Sequence, residues 1–123
     1  MIVGIGIDMI EVQRVMDKVN KDNGFKEMVF SSNEIQFCNA NRAAENYAAR
    51  FAAKEAFLKA TGLGLLLGND LCNIEVVNDA NGKPEISLSG IFKTHAEKNG
   101  WNRIHVSLSH LQQVACAVVI IER

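Results

Sequence analysis

Glu55 is the residue whose setting demands a chemical explanation. It sits within residues 42–61, an alanine-rich stretch that reads as one long helix. At about 100° per residue it falls between Phe51 and Ala48, on the apolar stripe with Ala44, Tyr47 and Leu58. A carboxylate on such a face needs a cation, because burying it unpaired is costly. Two partners are available. Lys59, four residues on, would make an ordinary helical ion pair. A metal shared with a second carboxylate would also serve, and the apolar flanks favour it.

Asp8 is the natural second carboxylate. It ends a run in which Val3, Ile5 and Ile7 point one way and Gly4, Gly6 and Asp8 the other, the period-two signature of a strand. The glycine face is bare backbone and invites close approach by another element. Asp8 could cap the following helix or ligate a metal, and the glycine-lined face tips the balance to ligation. Two hard oxygen ligands without a His/Cys cluster suit magnesium, which keeps waters and phosphate oxygens in its shell. Arg50, Lys54 and Lys59 on the same helix would make this an anion site, although a solvated helix face carries the same residues. His105, Ser107 and Ser109 share one face of an alternating segment, with His110 just beyond. They could bind phosphate or simply face water.

These residues need a scaffold. Val12, Val15, Met16 and Val19 recur at helical spacing, and Glu11 suits the first turn of that helix. Asp22-Asn23-Gly24 breaks it, and Ser31 to Glu34 reads as a capping box. The long helix ends at Gly62, and residues 63–70 read as a glycine-punctuated loop. Residues 74–78 and 85–89 read as a hairpin, residues 91–99 as a short helix, and residues 104–109 and 114–121 as strands. The sum is an α+β fold: an antiparallel sheet packed with one long helix and shorter ones, in a single domain over 1–123.

Bulk properties agree with one globular domain of 123 residues, 48% hydrophobic and 22% charged. A net charge of −1 excludes a global polybasic character of the kind that binds nucleic acid. Cys38, Cys72 and Cys116 form no CxxC pair and read as reduced thiols. No apolar run approaches the ~20 residues that span a bilayer, and Met1–Ile10 lacks a basic signal-peptide region, so the expected compartment is the cytoplasm. One local cluster stands out. Arg14, Lys18 and Lys21 fall at i, i+4 and i+7, opposite the valine face, as a basic stripe or a plain solvated surface.

Several ordered blocks resemble the holo-acyl-carrier-protein synthases. Gly4-Ile5-Gly6-Ile7-Asp8, then Glu11 and Arg14, is similar to their opening. Residues 50–60, Arg-Phe-Ala-Ala-Lys-Glu-Ala-Phe-Leu-Lys-Ala, resemble their helix signature. Asn81-Gly82-Lys83-Pro84 and Val106-Ser107-Leu108-Ser109-His110 follow in the right order. The resemblance implies transfer of 4′-phosphopantetheine from coenzyme A to a serine of an acyl carrier protein, in support of fatty acid synthesis. It implies Asp8 and Glu55 as magnesium ligands, Glu55 and Lys59 as catalytic groups, and coenzyme A contacts at Arg50, Lys54, Lys59, Gly62 and His110. It also implies a homotrimer with interface sites, and docking of acidic carrier helices on Arg14, Lys18 and Lys21, with Met28 or Phe25 as apolar anchor. The base that takes the serine proton stays open among Glu55, a bound water and a carrier carboxylate. Leu63, Asn73 and Leu111 depart from the family's usual threonine, aspartate and threonine, and Leu63 and Leu111 remove possible hydroxyl contacts to ligand. A non-catalytic coenzyme A or nucleotide-binding subunit, or another magnesium-dependent phosphotransferase or hydrolase, remain the alternatives.

Overall fold

A computed structural model describes residues 1–63 and 70–123; the predicted loop at 63–70 therefore lies largely outside the described residues. The chain runs β1 (Ile2–Glu11), α1 (Val12–Val19), α2 (Phe25–Val29), α3 (Ser32–Ala40) and α4 (Ala43–Thr61). A 3-10 turn at Leu71–Asn73 leads to β2 (Ile74–Asn78), β3 (Pro84–Leu88), α5 (Gly90–Asn99), β4 (Arg103–His110) and β5 (Val114–Glu122). The expected α+β architecture is present, with the strands in two antiparallel groups. One is a three-stranded sheet in the order β1-β5-β4 and the other is the β2-β3 hairpin.

The central element is α4, which packs across β1 and β5. Its small residues let it lie close. Ala52, Ala53 and Ala56 are fully buried. Opposite them, a Cβ added at Gly6 would stand 1.9 Å from the Ala56 carbonyl oxygen, and one at Gly4 would stand 2.1 Å from that of Ala60. Bare strand backbone therefore touches bare helix backbone, and no side chain other than hydrogen fits there.

The glycine face of β1 is thus the inner one. Its branched face, Val3, Ile5, Ile7 and Met9, points out of the chain, with Ile5 and Ile7 63% and 64% exposed. By register Ile5 lies beside Ile120, Ile7 beside Val118 and Met9 beside Cys116, so the outer side of the sheet carries a continuous apolar strip. His105, Ser107 and Ser109 border the same strip, paired with Ile120, Val118 and Cys116.

A buried ion pair ties the helices to the hairpin. The capping box forms as read: Ser31 Oγ accepts from the Glu34 amide at 3.1 Å and Glu34 Oε1 accepts from the Ser31 amide at 2.9 Å. Glu34 does more than cap. Its Oε1 also accepts from Lys54 Nζ at 2.8 Å, and its Oε2 accepts from the Val76 amide at 2.9 Å. Lys54 completes its three donors on the carbonyls of Leu71, at 3.0 Å, and Ile74. Both side chains are wholly buried. The pair joins α3, α4, the 3-10 turn and β2.

Three local expectations are corrected. Glu11 is the last residue of β1 and the flank of α1 rather than a residue of its first turn, and its side chain caps nothing. Strand β1 runs through Glu11 because its ladder to β5 continues to Val114. Helix α1 ends at Val19, so Lys21 lies beyond it, in the turn before Gly24, whose φ of 85° only glycine adopts readily.

Candidate active site

Strand β1 presents Asp8 on the glycine face, directly under α4. Three turns into α4, Glu55 projects toward the same place. Burial first, and the charge of Asp8 second, push the Glu55 carboxyl above the usual carboxylate range, while the charges of Lys59 and Lys18 pull it back. Two carboxylates therefore repel each other within a partly dry setting. That is the condition under which a bound cation is most favourable.

Lys59 supplies one counter-charge. Its Nζ lies 3.0 Å from Asp8 Oδ1 and donates to the Ile7 carbonyl, also at 3.0 Å. It bridges helix to strand instead of pairing with Glu55 on its own helix. An open cleft of about 440 Å³ lies beside the carboxylates, lined by Asp8, Glu11, Arg14, Lys18, Phe51 and Glu55 among others. A groove of similar size, about 450 Å³, runs past Glu27, Ser31, Cys72 and Glu75 and contains neither Asp8 nor Glu55.

The predicted basic stripe is divided by the structure. Arg14 and Lys18 line the cleft, whereas Lys21 does not. The Lys18 ammonium lies 5.8 Å from the Phe25 ring centre and 5.9 Å from that of Phe51, at cation–π range of both.

The predicted coenzyme A contacts are scattered. Gly62 caps α4 at φ 74° and is exposed, one turn from Lys59. Lys54 does not reach the cleft, since its ammonium is enclosed by Glu34 and two carbonyls. Arg50 is 2% exposed, stacks 4.2 Å over the Phe37 ring centre and donates from Nη1 to Asn46 Oδ1 at 3.2 Å. Its Nε has no hydrogen-bond partner among the described residues, and burial pulls its pKa down. Helical spacing placed Arg50 and Lys54 beside Glu55 in sequence. A helix buried on nearly every side turns them into the interior.

His110 is on the helix-facing side of β4, away from Ser107 and Ser109. Its Nδ1 lies 3.4 Å from Glu45 Oε2, in a recess shared with Arg42 and Gln112. Glu45 precedes Glu55 by ten residues, a rise of about 15 Å along the helix, so His110 and the carboxylate pair occupy separate places on one chain. Of the departures from the family pattern, Asn73 has a clear local use: its Oδ1 accepts from Ser89 Oγ at 3.0 Å, and its carbonyl accepts the Ser89 amide at 3.0 Å. Leu111 is 75% exposed.

Glu34 and Glu45 were not singled out by sequence as partners of Lys54 and His110. The only sequence signal was the capping box for Glu34; nothing local marked Glu45. Cys38 is buried, and that burial pushes its thiol up to about 12, which makes it inert.

The donor set also bears on the metal. Among the described residues no group of three His, Cys, Asp or Glu side chains could hold an ion. A carboxylate pair alone fits magnesium, which needs few protein ligands when substrate phosphates and waters complete its shell.

Known proteins are similar to this chain over nearly its whole length. Over residues 4–119 the chain matches the 4′-phosphopantetheinyl transferase superfamily. It is 47% identical to a holo-[acyl-carrier-protein] synthase of Syntrophus aciditrophicus, across 99% of this chain and 97% of that one. The crystal structure of the holo-[acyl-carrier-protein] synthase of Neisseria meningitidis superposes with a TM-score of 0.89 at 32% identity, covering all of both chains. That of Bacillus anthracis, in complex with CoA (3′,5′-ADP), superposes with a TM-score of 0.78 at 36% identity, over 98% of this chain and 96% of that one. The match spans the strand that presents Asp8 and the helix that presents Glu55 and Lys59, and the chain belongs to the 4′-phosphopantetheinyl transferase superfamily.

Proposed function

We propose that the chain is a holo-acyl-carrier-protein synthase, which transfers 4′-phosphopantetheine from coenzyme A to a serine of apo acyl carrier protein and releases adenosine 3′,5′-bisphosphate. The observation that carries this reading is the meeting of Asp8 and Glu55 at one open cleft, with Lys59 paired to Asp8, in a chain of this family. In the reaction the serine oxygen attacks the phosphorus that bears the pantetheine arm. The bond from that phosphorus to the bridging oxygen breaks, its electrons stay with the adenosine bisphosphate, and the serine proton passes to a base.

Asp8 and Glu55 would hold magnesium, and that ion would neutralise the diphosphate and the leaving phosphate. The residues of the chain do the rest. Glu55 is kept in a partly dry position by α4, where its charge is most attractive to a cation. Lys59 adds positive charge beside Asp8 and can swing from it, being 56% exposed. Arg50 and Lys54 act from beneath in this reading: their charges are enclosed, and they hold α4 in place. Gly62 and His110 stay as coenzyme A contacts. Catalysis of this kind is mostly positioning and charge stabilisation.

The acidic carrier is met by Arg14, Lys18 and Lys21, with half-exposed Met28 as apolar anchor. The assembly is a homotrimer in the cytoplasm that serves fatty acid synthesis. Two observations support the oligomer: the exposed apolar strip of β1, and the separation of His110 from the carboxylates, which a neighbouring copy would bridge. Light scattering that finds only a 13.5 kDa species would remove it. The activity itself is tested by mass spectrometry of apo acyl carrier protein after incubation with the chain, coenzyme A and magnesium. A gain of one phosphopantetheine is expected; an unchanged mass would reject the assignment.

A further inference from the structure

The cleft has an unusual charge balance. Asp8, Glu11 and Glu55 line it, so an entering diphosphate meets three carboxylates. A divalent ion offsets two of them, and Lys59 is already paired with Asp8. The remaining cations among the described residues lining the cleft are Arg14 and Lys18. Of these, Lys18 is the one whose ammonium is held to the wall. It lies against the adjoining rings of Phe25 and Phe51, 5.8 and 5.9 Å from their centres, and Phe51 itself lines the cleft one turn before Glu55. Two aromatic faces at that distance restrain an otherwise free side chain and leave its N–H donors available. Lys18 is exposed, as Arg14 and Lys21 are, but unlike Lys21 it lines the cleft that holds Asp8 and Glu55.

We propose that Lys18 is a substrate-contacting residue, whose ammonium binds the phosphate of the phosphopantetheine group that is transferred, rather than a carrier-docking residue alone. This rests on the transferase reading above. Lys18, from α1, and Lys59, from α4, would then both bring positive charge to the reacting phosphate. A cation on that phosphate neutralises its equatorial oxygens while the bridging oxygen departs with its electron pair.

Substrate and product separate the roles. Coenzyme A carries the phosphate to be transferred, whereas adenosine 3′,5′-bisphosphate lacks it and keeps only the departing 5′-phosphate and the 3′-phosphate. Titration calorimetry with magnesium present, and no carrier, should show Lys18→Met binding coenzyme A about tenfold more weakly than the wild type, the size expected for one charge-assisted contact. Binding of the bisphosphate should stay within about twofold. Lys18→Arg, which keeps the charge and can still lie on the rings, should restore coenzyme A binding to within about threefold. Unchanged coenzyme A binding by Lys18→Met would overturn the proposal and leave Lys18 as a docking or solvated residue. Equal weakening of both ligands would overturn it too, since Lys18 would then act on the shape of the cleft. A wild-type protein that binds neither ligand would reject the transferase reading, and this contact with it.

Discussion

Lys59 Nζ stands 3.0 Å from Asp8 Oδ1, although Glu55 lies four residues earlier on the same helix. The preference for the strand carboxylate means that Lys59 closes β1 onto α4, while Glu55, whose pKa stays raised despite the charges of Lys59 and Lys18, has no direct ion-pair partner among the described residues. The pairing also leaves Asp8 and Glu55 both directed at the cleft, where one ion can serve them.

Asp8→Ala and Glu55→Ala should each lower the rate of phosphopantetheine transfer at least about a hundredfold, the scale of losing a fixed charge-stabilising group. Both variants should fold, because neither residue anchors the core. The checks are a gel-shift or mass assay of carrier loading at limiting magnesium, with circular dichroism for the fold. Near wild-type rates in either variant would remove the metal pair.

Glu55 predicts a pH dependence of stability. Its folded-state pKa is raised, by burial first and by Asp8 second. A group of that kind favours the folded state below its unfolded pKa, and the contribution disappears as pH rises through the folded value. In a chelator-treated sample, stability should therefore decline across the weakly acidic range. Glu55→Gln should abolish that decline and melt above the wild type at neutral pH. Magnesium should raise the wild-type Tm and not that of the variant. Identical pH profiles for the two proteins would contradict this account.

Lys54→Met should be severely destabilising, because it leaves Glu34 charged and enclosed without its cation. Breaking a buried pair from one side costs about 3–5 kcal/mol. The double variant Glu34→Gln/Lys54→Met should recover part of that loss. Urea denaturation of the wild type, the single and the double variant measures both. A single variant as stable as the wild type would show that the pair contributes little.

Gly6→Ala should destabilise by about 3 kcal/mol or more, as overpacking against rigid backbone does. The added methyl would meet the Ala56 carbonyl at 1.9 Å, and neither β1 nor α4 can yield without parting. Because the same contact sets Asp8 against Glu55, activity should fall further than stability requires. Thermal melting and the loading assay together read the two effects.

Much of this was legible along the chain because it depends on local spacing. Period-two alternation marked β1, the capping box marked the start of α3, and Gly62 marked the end of α4. Asp8 and Glu55 stood out because a carboxylate on a glycine face, or on an apolar helical stripe, needs an explanation wherever the chain goes. What remained hidden depends on which faces meet. Alternation says that Ile5 and Ile7 share a side, but not that α4 covers the glycine side and leaves the branched one outside. Helical spacing put Lys54 next to Glu55, but only tertiary packing turned it toward Glu34 and enclosed it. Helical spacing offered Lys59 to Glu55, and the closeness of β1 to α4 gave it to Asp8 instead. Lys18 read as part of a surface stripe until Phe25 and Phe51, one from α2 and one from α4, were brought beneath it. Periodicity is a property of one segment. Burial and charge pairing belong to contacts between segments far apart in the chain, and these exist only once the chain has folded.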